Sequence, residues 1–288
     1  MPNFQFLCKT MSIYISSLNS GSTGNCYYVG NQHEAVLIDA GLSCRETETR
    51  MNRSGLSMQK VKAIFISHEH SDHTRGVPVI TRKYKIPAYF SPVTHENSRL
   101  HMDQSLIRYF SSNIPVQIGG LTINAFPKLH DASEPHSFTI SGDGITIGVL
   151  TDIGSVCKNV SSNFSQCHAA FLEANYDEAM LEQGSYPVFL KNRIRSDHGH
   201  LSNEQSLELF TKYKAPFMSH LLLSHLSQDN NDPRLVHDLF SRHAGDIHIA
   251  IASRHQESAV YLINGVKEGN RVKFSVDPVL KSTQMSLF

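Results

Sequence analysis

The sequence predicts an α/β (α+β) fold, and three observations carry that prediction. Short β-branched and aromatic runs alternate with helical patterns from Ser12 onward. No internal repeat, low-complexity tract or long linker interrupts the alternation. Polar residues follow directly on apolar runs at Asp39, Ser67-His68, Thr151-Asp152 and Ser224-His225, and the carboxyl ends of strands are where loops gather in α/β proteins. With 288 residues the chain can bury a full core, so one domain is expected over 11–288, with residues 1–10 as a disordered extension ahead of Met11.

Each element has its own local signal. Strands are expected at 13–17, 26–29, 35–39, 63–67, 88–90, 145–150, 169–172, 218–224 and 247–252, with a further apolar run at 121–126. Ser43 with Glu46 three residues on reads as a capping box, Gly55 as the stop of that helix, and Ser91-Pro92 as the opening of another. Further helices are expected at 75–84, 177–183, 186–195, 203–213 and 233–243.

Bulk composition narrows function before any motif does. Lys plus Arg equals Asp plus Glu at 26 each, so a polyanion would have to be held by a local patch rather than by the overall field. No apolar run approaches the roughly 18 residues of a membrane span. Five cysteines, odd in number and without a CxxC pair, argue against a disulfide framework or a thiolate zinc site and fit a reducing, cytoplasmic setting. Seventeen histidines are many for this length, and imidazole is the commonest metal ligand.

The excess concentrates in His68-Glu69-His70-Ser71-Asp72-His73, which follows the buried-strand pattern Ala63-Ile64-Phe65-Ile66-Ser67. Residues two apart in an extended segment point the same way, so His68 and His70 can grip one ion while Asp72 and His73, past the turn, face a neighbouring one. Such ligands suit zinc, manganese or iron. Two ions need more donors than one hexapeptide holds. His130, Asp152 and His225 each follow an apolar run and are the candidates for the remaining donors, although each taken alone reads equally as a hydrogen-bonded histidine or a helix N-cap; His220, five residues before His225, is expected to be structural.

These residues together resemble the metallo-β-lactamase fold superfamily, and most closely its YycJ (WalJ) group of exonucleases. The matching words are Ser20-Gly21-Ser22-Thr23-Gly24-Asn25, Asp39-Ala40-Gly41-Leu42-Ser43, residues 67–73, His130-Asp131-Ala132 with Glu134-Pro135, Thr151-Asp152-Ile153-Gly154, Ser196-Asp197 with Gly199-His200, and His225-Leu226-Ser227 with Asp229-Asn230-Asn231. The likeness spans residues 11–231, with departures at the leading decapeptide, at His198 and from about Asp232. It implies a four-layer αββα sandwich, a first ion on His68, His70 and His130, a second on Asp72, His73 and His225, and Asp152 as the bridging carboxylate.

The function so implied is a metal-dependent phosphodiesterase, a DNA exonuclease acting at 5′ ends through a metal-bridged hydroxide. Two ions roughly 3.5 to 4 Å apart suit an in-line displacement at phosphorus. Asp72 is expected to orient or deprotonate the water and His200 to contact the phosphate or protonate the leaving oxygen. Ser20, Ser22, Thr23 and Asn25 form a Gly-rich turn that can cradle a phosphate, and Ser202 closes a Gly-His-Leu-Ser loop on the substrate side. Lys191, Arg193 and Arg195 are the clearest basic cluster for DNA. Tyr176, Tyr186 and Phe189 are candidates for stacking on bases, with core packing the expected role of Phe189. Two other readings stand beside this one: a thioester, lactone or small-phosphodiester hydrolase of the same fold, and a non-catalytic, metal-stabilised adaptor.

Overall fold

The computed structural model describes residues 12–265, so the expected extension at 1–10 lies outside the described residues. Two seven-stranded mixed sheets form the centre. The first holds β1 (Ser12–Asn19), β2 (Cys26–Gly30), β3 (Ala35–Ile38), β4 (Val61–Phe65), β5 (Ala88–Phe90) and β6 (Ile107–Tyr109) in that order. The second runs from β7 (Val116–Ile118) through β8 (Leu121–Pro127), β9 (His136–Gly142), β10 (Ile145–Leu150), β11 (Ala169–Glu173) and β12 (His220–Ser224) to β13 (His248–Ile251). The chain then returns to the first sheet, where β14 (Tyr261–Asn264) pairs antiparallel with β1.

Strand alternation sorts the apolar side chains into three cores. Along β12, Leu222 enters the core between the sheets while Leu221 and Leu223 face helices; along β4, Ala63 and Phe65 point inward while Ile64 faces out. The outer face of the first sheet is covered by α1 (Cys44–Arg53) and α3 (Val77–Tyr84), which bring Met51, Val77 and Ile80. The second sheet is covered by α5 (Lys158–Phe164), α8 (Asn203–Tyr213) and α9 (Pro233–Ser241), which bring Phe164, Phe210 and Phe240. Each such side chain, fully buried, contributes roughly 1.5–3 kcal/mol. The result is the four-layer αββα sandwich, with both sheets buried on both faces.

The structure corrects the sequence reading at several elements. β6, β7, β9 and β14 were not expected. β9 alternates Phe138, Thr139 and Ile140 and turns into β10 through Asp143-Gly144, both with positive φ (53° and 78°), as a two-residue hairpin turn demands. The helix expected at 75–84 forms as α3 from Val77, and an unexpected short α2 (Ser71–Thr74) precedes it; Gly76 between them approaches so closely that an added Cβ would lie 2.0 Å from the Leu42 carbonyl oxygen. At Ser43 only half of the capping box forms. Its hydroxyl accepts from the Glu46 N–H at 3.2 Å, but the Glu46 carboxylate accepts from Arg50 Nε at 2.6 Å instead.

Candidate metal centre

The carboxyl ends of β3, β4, β8, β10, β11 and β12 open on one edge of the sandwich. At three of them the chain leaves the strand in the left-handed region, at Asp39 (φ 60°), Asp152 (φ 55°) and His225 (φ 56°). Such conformations are strained for residues with a Cβ and persist where surrounding contacts over-determine them. Those contacts are visible. The Asp39 carboxylate accepts from Ser67 N–H and hydroxyl at 2.8 and 2.9 Å, and Asn25 N–H donates to the Asp72 carbonyl at 2.7 Å. Gly41 is required beneath this crossing, since a Cβ there would fall 1.7 Å from the Asp72 carbonyl oxygen.

All seven residues expected as metal ligands converge. Donor atoms of His68, His70 and His130 lie within 4.8 Å of one another, as do those of Asp72, His73 and His225, and those of His68, His73 and Asp152. The rings of His68 and His130 meet edge to face at 5.0 Å and those of His68 and His70 at 4.6 Å. Asp152 stands between the groups, its carboxylate 3.6 Å from His73 Nε2, 3.4 Å from His225 Nε2 and 3.9 Å from His130 Nε2. Asp152 Oδ2 and His225 Nε2 are buried without a hydrogen-bond partner. Buried polar atoms almost always have a partner, and a ring nitrogen and a carboxylate oxygen left without one among the other donors are atoms that a divalent cation would satisfy.

Four of the histidines are turned to present Nε2, while His70 brings Nδ1 to 3.1 Å from His68 Nε2. His73 Nδ1 bonds Asp39 Oδ2 at 2.7 Å, His130 Nδ1 faces the Gly199 carbonyl at 3.0 Å, His68 Nδ1 faces the Ser67 hydroxyl at 2.9 Å, and His225 Nδ1 lies 3.2 Å from Glu173 Oε1. Partners of this kind fix the ring and its tautomer in metal sites. Burial, reinforced by neighbouring cations, pushes His68 well below the usual imidazole range and His130 down to about 3, which keeps both in the neutral form a metal requires. Burial also opposes charge on His73, but Asp152 and Asp39 outweigh it and hold that ring above its ordinary value. Lys128, buried and donating to the Thr151 carbonyl at 2.6 Å, is depressed by burial against the pull of Asp152.

Two carboxylates of the site had no role assigned from the sequence, Asp39 although it stands at a strand end and Glu173 altogether. Asp39 holds His73, and Glu173, fully buried at the end of β11, holds both His200 and His225 and accepts from the Ile153 N–H at 2.7 Å. The available signal for Glu173 was a carboxylate ending the wholly apolar run Ala169-Ala170-Phe171-Leu172. His200 sits half-buried beside the cluster, its ring 5.1 Å from His130 and 5.2 Å from His225.

The expected substrate contacts divide. Ser20 and Asn25 are buried and committed to the site's own frame: the Ser20 hydroxyl accepts from His225 N–H at 2.7 Å, and Asn25 Nδ2 lies 3.2 Å from Asp72 Oδ2. Ser22 and Thr23, at the tip of the turn, are exposed. Ser202 is a correction. It is buried and forms a reciprocal capping box with Gln205 at the start of α8, so its hydroxyl is already used. In the basic cluster, on α7 (Val188–Arg195), Arg193 pairs with Asp131, Arg195 with Glu178 and Glu182, and Lys191 donates to the Glu182 carbonyl. Phe189 does not pack in the core but is 74% exposed. His220 lies away from the site, its ring 5.4 Å from those of His248 and Tyr261.

Comparison with known proteins agrees with this geometry. A family model described as the beta-lactamase superfamily domain matches residues 34–226. Exodeoxyribonuclease YycJ of Bacillus anthracis is 35% identical over 231 residues, 78% of this chain and 87% of that protein. Exodeoxyribonuclease WalJ of Streptococcus pneumoniae is 35% identical over 227 residues, 77% of this chain and 84% of the relative. In three dimensions the metallo-beta-lactamase fold protein YhfI of Bacillus subtilis superposes with a TM-score of 0.67 at 14% identity, covering 88% of this chain and 100% of that one. With its two sheets, its ordered His and Asp donors and these relatives along most of its length, the chain belongs to the beta-lactamase superfamily and has the metallo-β-lactamase fold.

Proposed function

We propose that this hydrolase is a metal-dependent phosphodiesterase that removes nucleotides from the 5′ ends of DNA. The observation that carries the nuclease reading is the 35% identity, over 78% of the chain, to a protein named as an exodeoxyribonuclease. The donor set supports the metal: His68, His70 and His130 for one divalent ion, Asp72, His73 and His225 for a second, and Asp152 toward both. Zinc or manganese suits these imidazole and carboxylate donors, with iron next. Two divalent ions so held supply charge that activates water and offsets the negative charge gathering on a phosphodiester under in-line attack.

The chain's own groups do the rest. Asp72 is the partly solvent-facing carboxylate of the cluster, steadied by Asn25 at 3.2 Å, and is placed to orient the attacking water and take its proton. His200 has Nδ1 engaged by Glu173 at 2.7 Å, so Nε2 is the nitrogen left to hand a proton to the departing oxygen. Lys128 Nζ donates to the Thr151 carbonyl next to Asp152 at 2.6 Å and ties down the backbone on which that carboxylate sits. Among the described residues no helix is long and apolar enough to cross a membrane, and a cytoplasmic site of action is part of the same proposal.

The test is cleavage of end-labelled single- and double-stranded DNA with manganese or zinc supplied, beside a thioester, a lactone and bis(p-nitrophenyl) phosphate. The proposal expects shortening from the 5′ end that Asp72→Ala abolishes. Efficient thioester turnover without DNA cleavage would replace it with the other hydrolase reading, and no turnover of any substrate by metal-loaded protein would leave the adaptor.

A further inference from the structure

The turn between β1 and β2 is tied to the metal centre at both ends and left open at its tip. At one end the Ser20 hydroxyl accepts from His225 N–H, and at the other Asn25 Nδ2 lies 3.2 Å from Asp72 Oδ2 and 3.0 Å from His73 Nε2. Inside the turn Gly21 N–H donates to Asn25 Oδ1 at 2.9 Å, and Gly24 N–H to the Gly21 carbonyl at 2.9 Å. At the exposed tip the N–H groups and hydroxyls of Ser22 and Thr23 meet no acceptor among the described residues. Successive free N–H groups in such a turn are suited to an anion.

Two arginines clamp this turn, and neither forms an ion pair among the described residues. Arg75, exposed just after α2, donates from Nη2 to the Thr23 carbonyl at 2.7 Å. Arg254, between β13 and β14, lies over Gly21. A Cβ there would stand 3.2 Å from its Nη2, 3.3 Å from its Cζ and 3.6 Å from its Nη1, so the face of the guanidinium rests on the turn. Its Nη2 donates to the Leu226 carbonyl, next to His225, while its Nη1 is buried with no acceptor. Burial is the largest influence on this guanidinium and lowers its pKa against the pull of Asp229 and Tyr186, and the Asp229 carboxylate accepts from the Tyr186 hydroxyl at 2.8 Å. A cation drawn from water without an ionic partner costs free energy that a bound anion offsets. On α7, by contrast, Arg193 pairs with Asp131, and Arg195 with Glu178 and Glu182 of α6 (Glu178–Gln183).

We propose that Arg75, Arg254 and the tip Ser22-Thr23 form a subsite for a phosphate of the substrate strand adjoining the scissile one. The proposal rests on the nuclease reading above and names how that site holds a second phosphate. Because the turn is tied to Asp72, His73 and His225, the subsite lies on their side of the donor cluster. A phosphate oxygen reaching Arg254 Nη1 gives that nitrogen the acceptor it lacks, and the planar fork of arginine matches phosphate geometry. In a chain with 26 basic and 26 acidic residues, these two unpaired cations are the local positive charge that a polyanion needs.

The test uses metal-loaded protein and single-stranded oligothymidylate of about ten nucleotides, with and without a 5′-phosphate. Arg254→Ala and Arg75→Ala should each raise KM about tenfold with little change in kcat, as expected for one lost charged contact to phosphate. Their kcat/KM should fall much further on DNA than on bis(p-nitrophenyl) phosphate, which has no second phosphate to place. A fall confined to 5′-phosphorylated strands assigns the subsite to the terminal phosphate, and an equal fall on both assigns it to an internal one. Binding is read separately, by anisotropy of a fluorescein-labelled strand with phosphorothioate linkages. The slope of log Kd against log salt should drop by about 0.7 in Arg254→Ala, one single-strand phosphate contact, and return in Arg254→Lys. Arg242→Ala, at the exposed end of α9, should change neither readout. If wild-type protein degrades DNA but KM and the salt slope are unmoved, or the loss is as large on the small diester, the arginines only hold the turn. The subsite is then wrong while the nuclease stands. Should Arg254→Ala lose its metal through the Leu226 contact, Arg75→Ala alone decides. Wild-type protein that cleaves no DNA overturns the function itself, and the subsite with it.

Discussion

Glu173 Oε1 lies 2.7 Å from His200 Nδ1, inside the protein and out of contact with water. The same oxygen is 3.2 Å from His225 Nδ1, so one carboxylate sets the orientation of an expected metal ligand and of the expected proton donor. Burial alone would raise Glu173, but His200 and His225 outweigh it and hold it down to about 2, so it stays ionised. Glu173→Gln keeps the shape but places an amide against two ring nitrogens. Turnover of bis(p-nitrophenyl) phosphate should fall about ten- to hundredfold. Its pH profile should shift as well, which a purely structural role would not cause.

Asp152 reaches both halves of the donor cluster, so its loss should be visible in metal content before any assay of activity. Dialysed Asp152→Asn should retain half or less of the ions bound by wild-type protein when measured by mass spectrometry. Asp238→Asn, at an exposed position on α9, should retain them all. Chelation should lower the melting temperature of wild-type protein and have much less effect on Asp152→Asn, because binding to the folded state alone is what links metal to stability.

Gly41 and Gly55 separate steric need from conformational need. A methyl at Gly41 would penetrate the Asp72 carbonyl, and the crossing of residues 39–41 under 72–73 would have to part. Urea unfolding of Gly41→Ala should show a loss above ~3 kcal/mol, or no folded protein. At Gly55, φ is 69° and nothing lies within 4 Å, so Gly55→Ala should cost only the left-handed penalty, about 1–2 kcal/mol.

His220 gives the stability an acid limb that is independent of the metal centre. Burial first, and then the neighbouring His248, push its pKa down from 6.5 to about 4. The folded state therefore favours the neutral ring. Its contribution is complete above pH 6.5 and is lost as the pH falls toward 4, because the unfolded chain takes up the proton first. His220→Gln should flatten the pH dependence of unfolding free energy across that window by up to ~3 kcal/mol. Denaturant curves of the two proteins at pH 7.5, 6 and 4.5 measure it.

The donors were legible in the sequence because they carry two signals at once, a ligating side chain and a place just beyond an apolar run. Asp39 and Glu173 share the second signal, but a lone carboxylate at a strand end is as often a cap or a turn residue, and only their distances to His73 and His200 separate the cases. Ser202 shows the converse. Ser202-Asn203-Glu204-Gln205 spells a capping box, and reading it as a substrate loop passed over that local chemistry. β6 and β7 are three-residue strands toward one edge of their sheets, too short to show a period. Phe189 was misjudged because apolar character alone does not tell which face of a helix meets solvent.

The division of donors between the sheets also sets an order of events at synthesis. His68, His70, Asp72 and His73 follow β4 of the first sheet, while His130, Asp152 and His225 follow β8, β10 and β12 of the second. Every donor group that draws on residues 68–73 is completed by a residue at least 57 positions later in the chain. A growing chain that has made only its first six strands holds no finished group of this kind. A donor set divided in this way can hold ions only once the two sheets have closed on each other, so a hydrolase built on it stays inert until its fold is nearly complete.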